Sequence, residues 1–170
     1  DLGGFFYPYE DDNQLDVEVR VNKLPVKSIA PFLTSFTSHI EGYAVGKLNL
    51  KGNLDKLVIL GSLDADIQDV KIDYTNVHYK IKDRFIFTPE YFGFDNATAQ
   101  DMKGNKLLLT TKIYHNYFQN FSLLVDVKPQ NAQLLNTKFE DNELFYGKAN
   151  GKGQFKMTGS FDALKLNIDL

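Results

Sequence analysis

The 170-residue chain has no cysteine and no tryptophan, and only 5 prolines and 12 glycines. Without cysteine it can form no disulfide, no thiolate metal site and no cysteine nucleophile. That absence leaves the compartment open, because a reducing cytosol and an envelope space both tolerate such chains. No apolar run approaches the roughly 20 residues of a membrane-spanning helix, and Asp1-Leu2-Gly3-Gly4 does not resemble a signal peptide. Positive charge is scarce and dispersed: 19 Lys and Arg against 22 Asp and Glu give a net charge of −3. No basic cluster is long enough to neutralise a row of phosphates, so a nucleic-acid partner is not expected.

Chemistry-bearing motifs are missing too. There is no nucleophile elbow, phosphate loop or dinucleotide fingerprint. His39, His78 and His115 fall in different elements with no shared ligand spacing, which argues against zinc, and His115 reads as a satisfied loop histidine in a Tyr-His-Asn-Tyr turn. Asp64 and Asp66 share the solvated phase of one strand rather than facing each other across a cleft, as a pair of catalytic acids must. The run Glu10-Asp11-Asp12-Asn13 lacks the alternating ligands and closing Glu of a calcium loop and reads as a solvated turn. No enzyme, cofactor or metal is expected.

What the chain has in abundance is apolar alternation, with 43% apolar residues, 14 Phe and 9 Tyr. Strands half in oil and half in water repeat every two residues. Leu15, Val17, Val19 and Val21 alternate with Asp16, Glu18, Arg20 and Asn22 in the cleanest strand. Small residues Gly42, Ala44 and Gly46 hold one phase before Leu48 and Leu50 take it over. After the turn at 53–56, Ile59, Leu63, Ala65 and Ile67 oppose Asp64, Asp66 and Gln68, and a bulge or turn at Asp69 switches the phase to Val70 and Ile72. Val77, Tyr79 and Ile81 form a short strand, and Phe85-Ile86-Phe87 the next. Following the turn at 101–105, Leu107, Leu109 and Ile113 share one strand, and Phe121, Leu123, Val125 and Val127 another. Pro129 is expected to end the latter, since it cannot donate to a ladder. Residues 130–143 then read as a polar connection.

Residues 25–40 change period. Val26, Ile29, Phe32, Leu33, Phe36 and Ile40 recur every three or four residues, as on one face of a helix, with Pro31 interrupting it. A short broken helix near 25–38 is expected to cap the apolar face of the sheet.

One unit occurs twice. Gly46-Lys-Leu-Asn-Leu-Lys-Gly52-Asn-Leu-Asp55-Lys-Leu57 matches Gly153-Gln-Phe-Lys-Met-Thr-Gly159-Ser-Phe-Asp162-Ala-Leu164, with Leu48 opposite Phe155 and Leu50 opposite Met157. Each reads as a hairpin whose outgoing strand keeps its apolar phase, through Ile59 and Leu63 in one and Leu166 and Leu170 in the other, with Ile168 on the same apolar face. Hairpin units are placed near 42–72 and 149–170 of a single fragment, 1–170, expected to belong to a longer repetitive β protein. The fold class is therefore all-β and antiparallel-rich, with one apolar face. Alternation does not decide between a closed sandwich and a curved open sheet or wide barrel with a groove.

The order of several short motifs resembles the translocation and assembly module family, TamB, in its AsmA-like group and its Bacteroidetes branch. They are Leu24-Pro25-Val26, Gly42-x-x-x-Gly46-x-Leu-x-Leu-x-Gly52, Ile72-x-Tyr74 and Tyr79-x-Ile81-x-Asp83. Asp101-x-x-Gly104-Asn105, Ile113-Tyr-His115-x-x-Phe118, Leu135-Asn136-Thr137 and Asp141-Asn142 to Phe145-Tyr146-Gly147 continue the series. The resemblance implies a segment toward the C-terminal part of an elongated, folded-over sheet, an open taco with an apolar groove. It implies a periplasmic location, anchored in the inner membrane by a segment outside 1–170. Its implied partners are phospholipid or another acyl lipid, adjoining repeats of the same chain, and an outer-membrane barrel of the TamA kind. The alternatives are a scaffold for outer-membrane barrel assembly and a closed lipid- or glycan-binding β domain.

Overall fold

The computed structural model describes residues 1–7, 14–32, 36–53, 55–141 and 146–169. The acidic run at 10–13, Leu33 within the helical stripe, Leu54 of the first hairpin turn and Leu170 of the second hairpin lie outside the described residues. Eleven strands form one sheet: β1 (Leu2–Phe6), β2 (Leu15–Pro25), β3 (His39–Gly52), β4 (Leu57–Ile72), β5 (Val77–Phe87), β6 (Tyr91–Asp101), β7 (Lys106–Asn116), β8 (Gln119–Thr137), β9 (Gly147–Lys152), β10 (Gln154–Ser160) and β11 (Ala163–Asp169). Neighbours in sequence are neighbours in space from β1 to β8, after which β10 and β11 extend the sheet while β9 pairs with the far half of β8. Among the described residues every pairing is antiparallel, β1 and β11 end the path of paired strands and β9 pairs only with β8, so the sheet does not close into a barrel.

An accessible surface of 10900 Å² fits that openness. A compact monomer of this mass would expose about 8500 Å². Burial is concentrated where the sheet curves over itself: Leu63, Ala65, Ile67, Ile81, Phe94, Ala97, Ala99 and Leu107 from β4 to β7 form the core with Ile40 and Ala44.

Bulges bend the sheet there. The register shifts between Ile67 and Val70 opposite β5, which places Asp69 in the bulge that the phase change had indicated. A second shift between Phe94 and Ala97 faces β7, with Asn96 at φ 55°. Side chains stand in for the missing ladder bonds: Thr111 Oγ1 accepts from the Phe94 N–H at 3.3 Å, Thr110 Oγ1 from Asn96 at 3.1 Å, and Asp83 Oδ2 from Thr98 at 3.2 Å.

Close approach fixes one residue type on this strand. Gly93 is buried with φ 153°, and a Cβ there would overlap the carbonyl oxygen of Thr111 on β7. Gly93→Ala is expected to lower stability by about 2 kcal/mol, read by urea unfolding, because backbone rather than a flexible side chain must yield.

The structure corrects three sequence expectations. Phe85-Ile86-Phe87 is not a separate strand but the end of a continuous β5. Pro129 does not end its strand: it ends the pairing with β7, at Leu107, and β8 runs on to Thr137. The supposed polar connection therefore begins as strand, bent at Asn131 (φ 65°) and paired to β9. Its composition misled because it needs only one buried apolar contact, Ala132, which is 0% exposed. The expected helix is a 3-10 helix, Val26–Phe32. Pro31 has no N–H to give to an α-helical ladder, and 3-10 turns serve such short pieces. As expected it packs on the sheet, with Val26 buried against the core alongside the small residue Ala44.

Candidate functional site

Cross-strand partners in an antiparallel sheet share a face, so register alone assigns the apolar side. Leu15, Val17 and Val19 pair with Gly52, Leu50 and Leu48. Leu50 pairs with Ile59 and Gly46 with Leu63, while Ile67 meets Ile81 and Ile72 meets Val77. Tyr79 stands beside Asp101, Leu107 beside Ala99, Leu109 beside Ala97, and Ile113 beside Phe92. Leu123 faces Ile113, Val125 faces Thr111, and Phe155 and Met157 continue the rows to Ile168 and Leu166. Phe121, two residues before Leu123, takes the same side. All the residues read from alternation as one face thus lie on one face.

They are not equally accessible. Leu63, Ile67, Val77, Ile81, Leu107 and Leu123 are buried by their own neighbours. Leu15, Val17, Val19, Leu48, Leu50, Ile59, Leu109, Ile113, Val125, Phe155 and Met157 are half-buried. Toward the edges the face opens, to 59% at Leu166, 54% at Ile168 and 77% at Leu2.

The two ends of the face differ in chemistry. At the end formed by the close of β5 and β7 and the start of β6 and β8, aromatic rings meet in series. Phe85 stands edge-on to Phe94 with centroids 5.0 Å apart, Phe87 stacks on Phe92 at 6.0 Å, and Phe92 reaches His115 at 5.6 Å. His115 stacks on Phe118 at 4.4 Å and lies at the end of β7, not in the turn as read from sequence. Its Nδ1 accepts the Phe118 N–H at 3.3 Å, and burial alone lowers its pKa, so the ring stays neutral. The turn itself has positive φ at both Tyr117 (48°) and Phe118 (61°), the primed hairpin geometry usually given to Asn-Gly. The ring stack and the Nδ1 bond offset that backbone cost.

At the opposite end the face is covered. The 3-10 helix closes one side, and the far half of β8 crosses the ends of β5 and β6 on the other. Polar groups hold this arm: Tyr79 Oη donates to the Gln133 carbonyl at 2.7 Å, Asn76 Nδ2 to the Asn136 carbonyl at 3.0 Å, and the Asn136 N–H to the Thr75 carbonyl at 2.9 Å. Asp101, 2% exposed, accepts four N–H bonds, from Lys103 N, Asn105 N, Asn105 Nδ2 and Gln133 N, at 2.8–2.9 Å. Burial works to raise its pKa, but these donors, the Asn105 side chain foremost, hold it below the ordinary value. Burial, with the Asp101 charge behind it, pushes the Tyr79 hydroxyl up, so it stays a donor. Sequence reading marked the 101–105 turn but not this clasp, because Gln133 lies in the stretch taken for a connection.

The outer face is charged and paired, with Arg84 to Asp64 at 3.4 Å and Lys82 to Asp66 at 3.5 Å. Such exposed pairs contribute little. Two histidines from separate strands meet here around Asp69: His78 Nδ1 lies 2.7 Å from Oδ1 and His39 Nε2 3.3 Å from Oδ2. They come together because both Lys71 neighbours in the register are histidines, His39 on β3 and His78 on β5. They approach different oxygens, and among the described residues no group of three His, Asp or Glu is arranged to hold a metal ion.

No family model, curated protein or solved structure matches the chain. The site is therefore read from its own chemistry, a single apolar face closed by a polar clasp at one end, lined by aromatic rings at the other, and open along both edges.

Proposed function

We propose that this chain is a non-enzymatic segment of a lipid-transfer bridge that crosses the periplasm and supports outer-membrane biogenesis, its apolar face carrying phospholipid acyl chains. The resemblance to TamB suggests the setting. The observation that carries the reading is the continuity of one apolar face across an open sheet, from Leu2 on β1 to Ile168 on β11. Removing a lipid tail from a membrane requires about 0.8 kcal/mol of replacement burial per methylene. The half-buried rows of β2, β3, β8 and β10 supply such surface without a polar anchor, so sliding exchanges one aliphatic contact for a similar one. In this reading the chain is tethered to the inner membrane through sequence outside 1–170.

A second reading, a scaffold on which outer-membrane barrel strands pair, is favoured by β1 and β11, each of which has one strand neighbour among the described residues. Native mass spectrometry with lipid extraction, on protein purified from a bacterial envelope, separates the two. Bound phospholipid is expected, and Val125→Asp and Leu109→Asp, each folded by circular dichroism, are expected to lower its occupancy at least about tenfold, because an unpaired carboxylate in an acyl contact is strongly disfavoured. A folded, lipid-free chain, or undiminished lipid in both variants, would move the scaffold reading to first place.

A further inference from the structure

We propose that the far half of β8, residues 131–137, is a gate over one end of the apolar face, and that its release admits an acyl chain to the floor beneath it. The identity of the cargo rests on the lipid-carrying reading; the gate rests on how this arm is attached. β8 leaves the main sheet after Pro129, the last residue paired to β7. Beyond it the backbone turns at Asn131, φ 65°, and the register with β9 shifts between Gln130 and Ala132 and again between Gln133 and Leu135. Bulges of this kind bend and re-aim a strand. The arm so directed crosses the ends of β5 and β6 and is tied to them at Thr75, Asn76, Tyr79 and Asp101.

Each of those four ties is a hydrogen bond to the main chain of the arm, at Gln133 or Asn136. Of the arm's apolar side chains, Ala132 joins the core. Leu134 and Leu135 are half-buried, and among the described residues neither packs against the core cluster. A broken hydrogen bond is largely replaced by one to water, whereas a broken apolar contact has no such substitute. The arm is therefore easier to lift than the strands of the β4–β7 core, and segments held in this way open locally while the rest stays folded. Opening strands no carboxylate either. Three of the four donors to Asp101 are Lys103 N, Asn105 N and Asn105 Nδ2 of its own turn, and they stay when Gln133 leaves.

What the arm covers belongs to the apolar face. Val77 shares that face with Tyr79 and Ile81 and is 2% exposed, yet it is not a member of the core cluster that contains Ile81. The ties at Thr75 and Asn76 precede it and the tie at Tyr79 follows it, so the arm spans it. Lifting the arm uncovers Val77 and the Tyr79 ring and extends the face to the end of β5.

The chain has no cysteine, so Val77→Cys provides a single thiol beneath the arm. In the folded 170-residue protein a water-soluble thiol reagent should modify it at least about tenfold faster than the thiol of Leu63→Cys, which the core buries. Tyr79→Phe keeps the ring and deletes only the bond to the Gln133 carbonyl. In that background the Val77→Cys rate should rise about tenfold further, with Leu63→Cys unchanged. Amide exchange of residues 133–136 against that of β4 reads the same opening without a thiol, should Val77→Cys fail to fold. Uptake of a pyrene-labelled phosphatidylcholine from vesicles should rise in proportion in Tyr79→Phe. Equal rates at the two thiols, or a Val77→Cys rate indifferent to Tyr79→Phe, would show a fixed cap and overturn the gate. Faster opening with unchanged uptake also overturns it, since the lipid then enters elsewhere. No uptake by either protein, with the thiol response intact, supports the gate and overturns the lipid-carrying reading.

Discussion

Asp101→Ala is expected to destabilise the fold by about 3–5 kcal/mol. The carboxylate is the acceptor for the N–H groups of Lys103, Asn105 and Gln133 and for the Asn105 amide. Removing it leaves several partly buried donors unsatisfied, at about 1–3 kcal/mol each before water relieves some of them. The loss is local in origin. Gln133 ties the far half of β8 across the ends of β5 and β6, so amide exchange from Ala132 to Thr137 is expected to accelerate before that of the β4–β7 core. Equal acceleration throughout would show that the clasp is part of the core and not a separate latch. Asp101→Asn keeps one oxygen but turns an NH₂ toward the donors, and an intermediate loss of about 2 kcal/mol is expected.

The same group gives the fold an acid limb. Its folded pKa lies below the ordinary value, so the folded state binds this proton more weakly than the unfolded chain, whose Asp titrates near ~3.9. The stabilisation is therefore complete above the unfolded value and is lost as pH falls through it toward the lower folded one. Urea midpoints for the wild type should drop across that window, and those for Asp101→Asn should drop less.

The apolar face was legible in the sequence because a period of two needs no tertiary information. A strand such as Leu15-x-Val17-x-Val19 shows its two sides before its partners are known, and register then only has to align them. The repeat was equally visible, and the glycines it shares behave alike: Gly52 and Gly159 stand opposite Leu57 and Leu164, each with its missing Cβ against a carbonyl across the hairpin. The far half of β8 was not legible. Its side chains alternate weakly, and what holds it is a set of hydrogen bonds to Tyr79, Asn76 and Asp101, residues from 54 to 32 positions earlier for the pairs that meet Gln133. The pairing of His39 and His78 around Asp69 was hidden for the same reason, since it depends on three strands lying side by side. Openness was left undecided because alternation records that a face is apolar and not what covers it.

Phe94→Ala is expected to be about as damaging as the loss of Asp101, at roughly 3–5 kcal/mol, through packing alone. Phe94 is 5% exposed and stands edge-on to Phe85, centroids 5.0 Å apart with ring planes at 89°. It also sits where β6 bulges away from β7, so the cavity left by truncation opens beside backbone that has already lost ladder bonds. Phe92, two residues earlier on the same face, is the control. It touches more rings than Phe94 does, Phe85, Phe87, His115 and Phe118 against Phe85 alone, but is only half-buried. If burial sets the cost, Phe92→Ala should cost only about 1–2 kcal/mol. If ring contacts set it, Phe92→Ala should be the more damaging of the two, and the aromatic end of the face would then be a structural cluster with little surface to give a ligand. Phe94→Leu separates the terms within one site: keeping most of the buried volume, it should recover more than half of the stability lost in Phe94→Ala. Urea unfolding of the three variants decides between these outcomes, and the first would leave the exposed side of Phe92 and Phe121 available at the mouth of the apolar face.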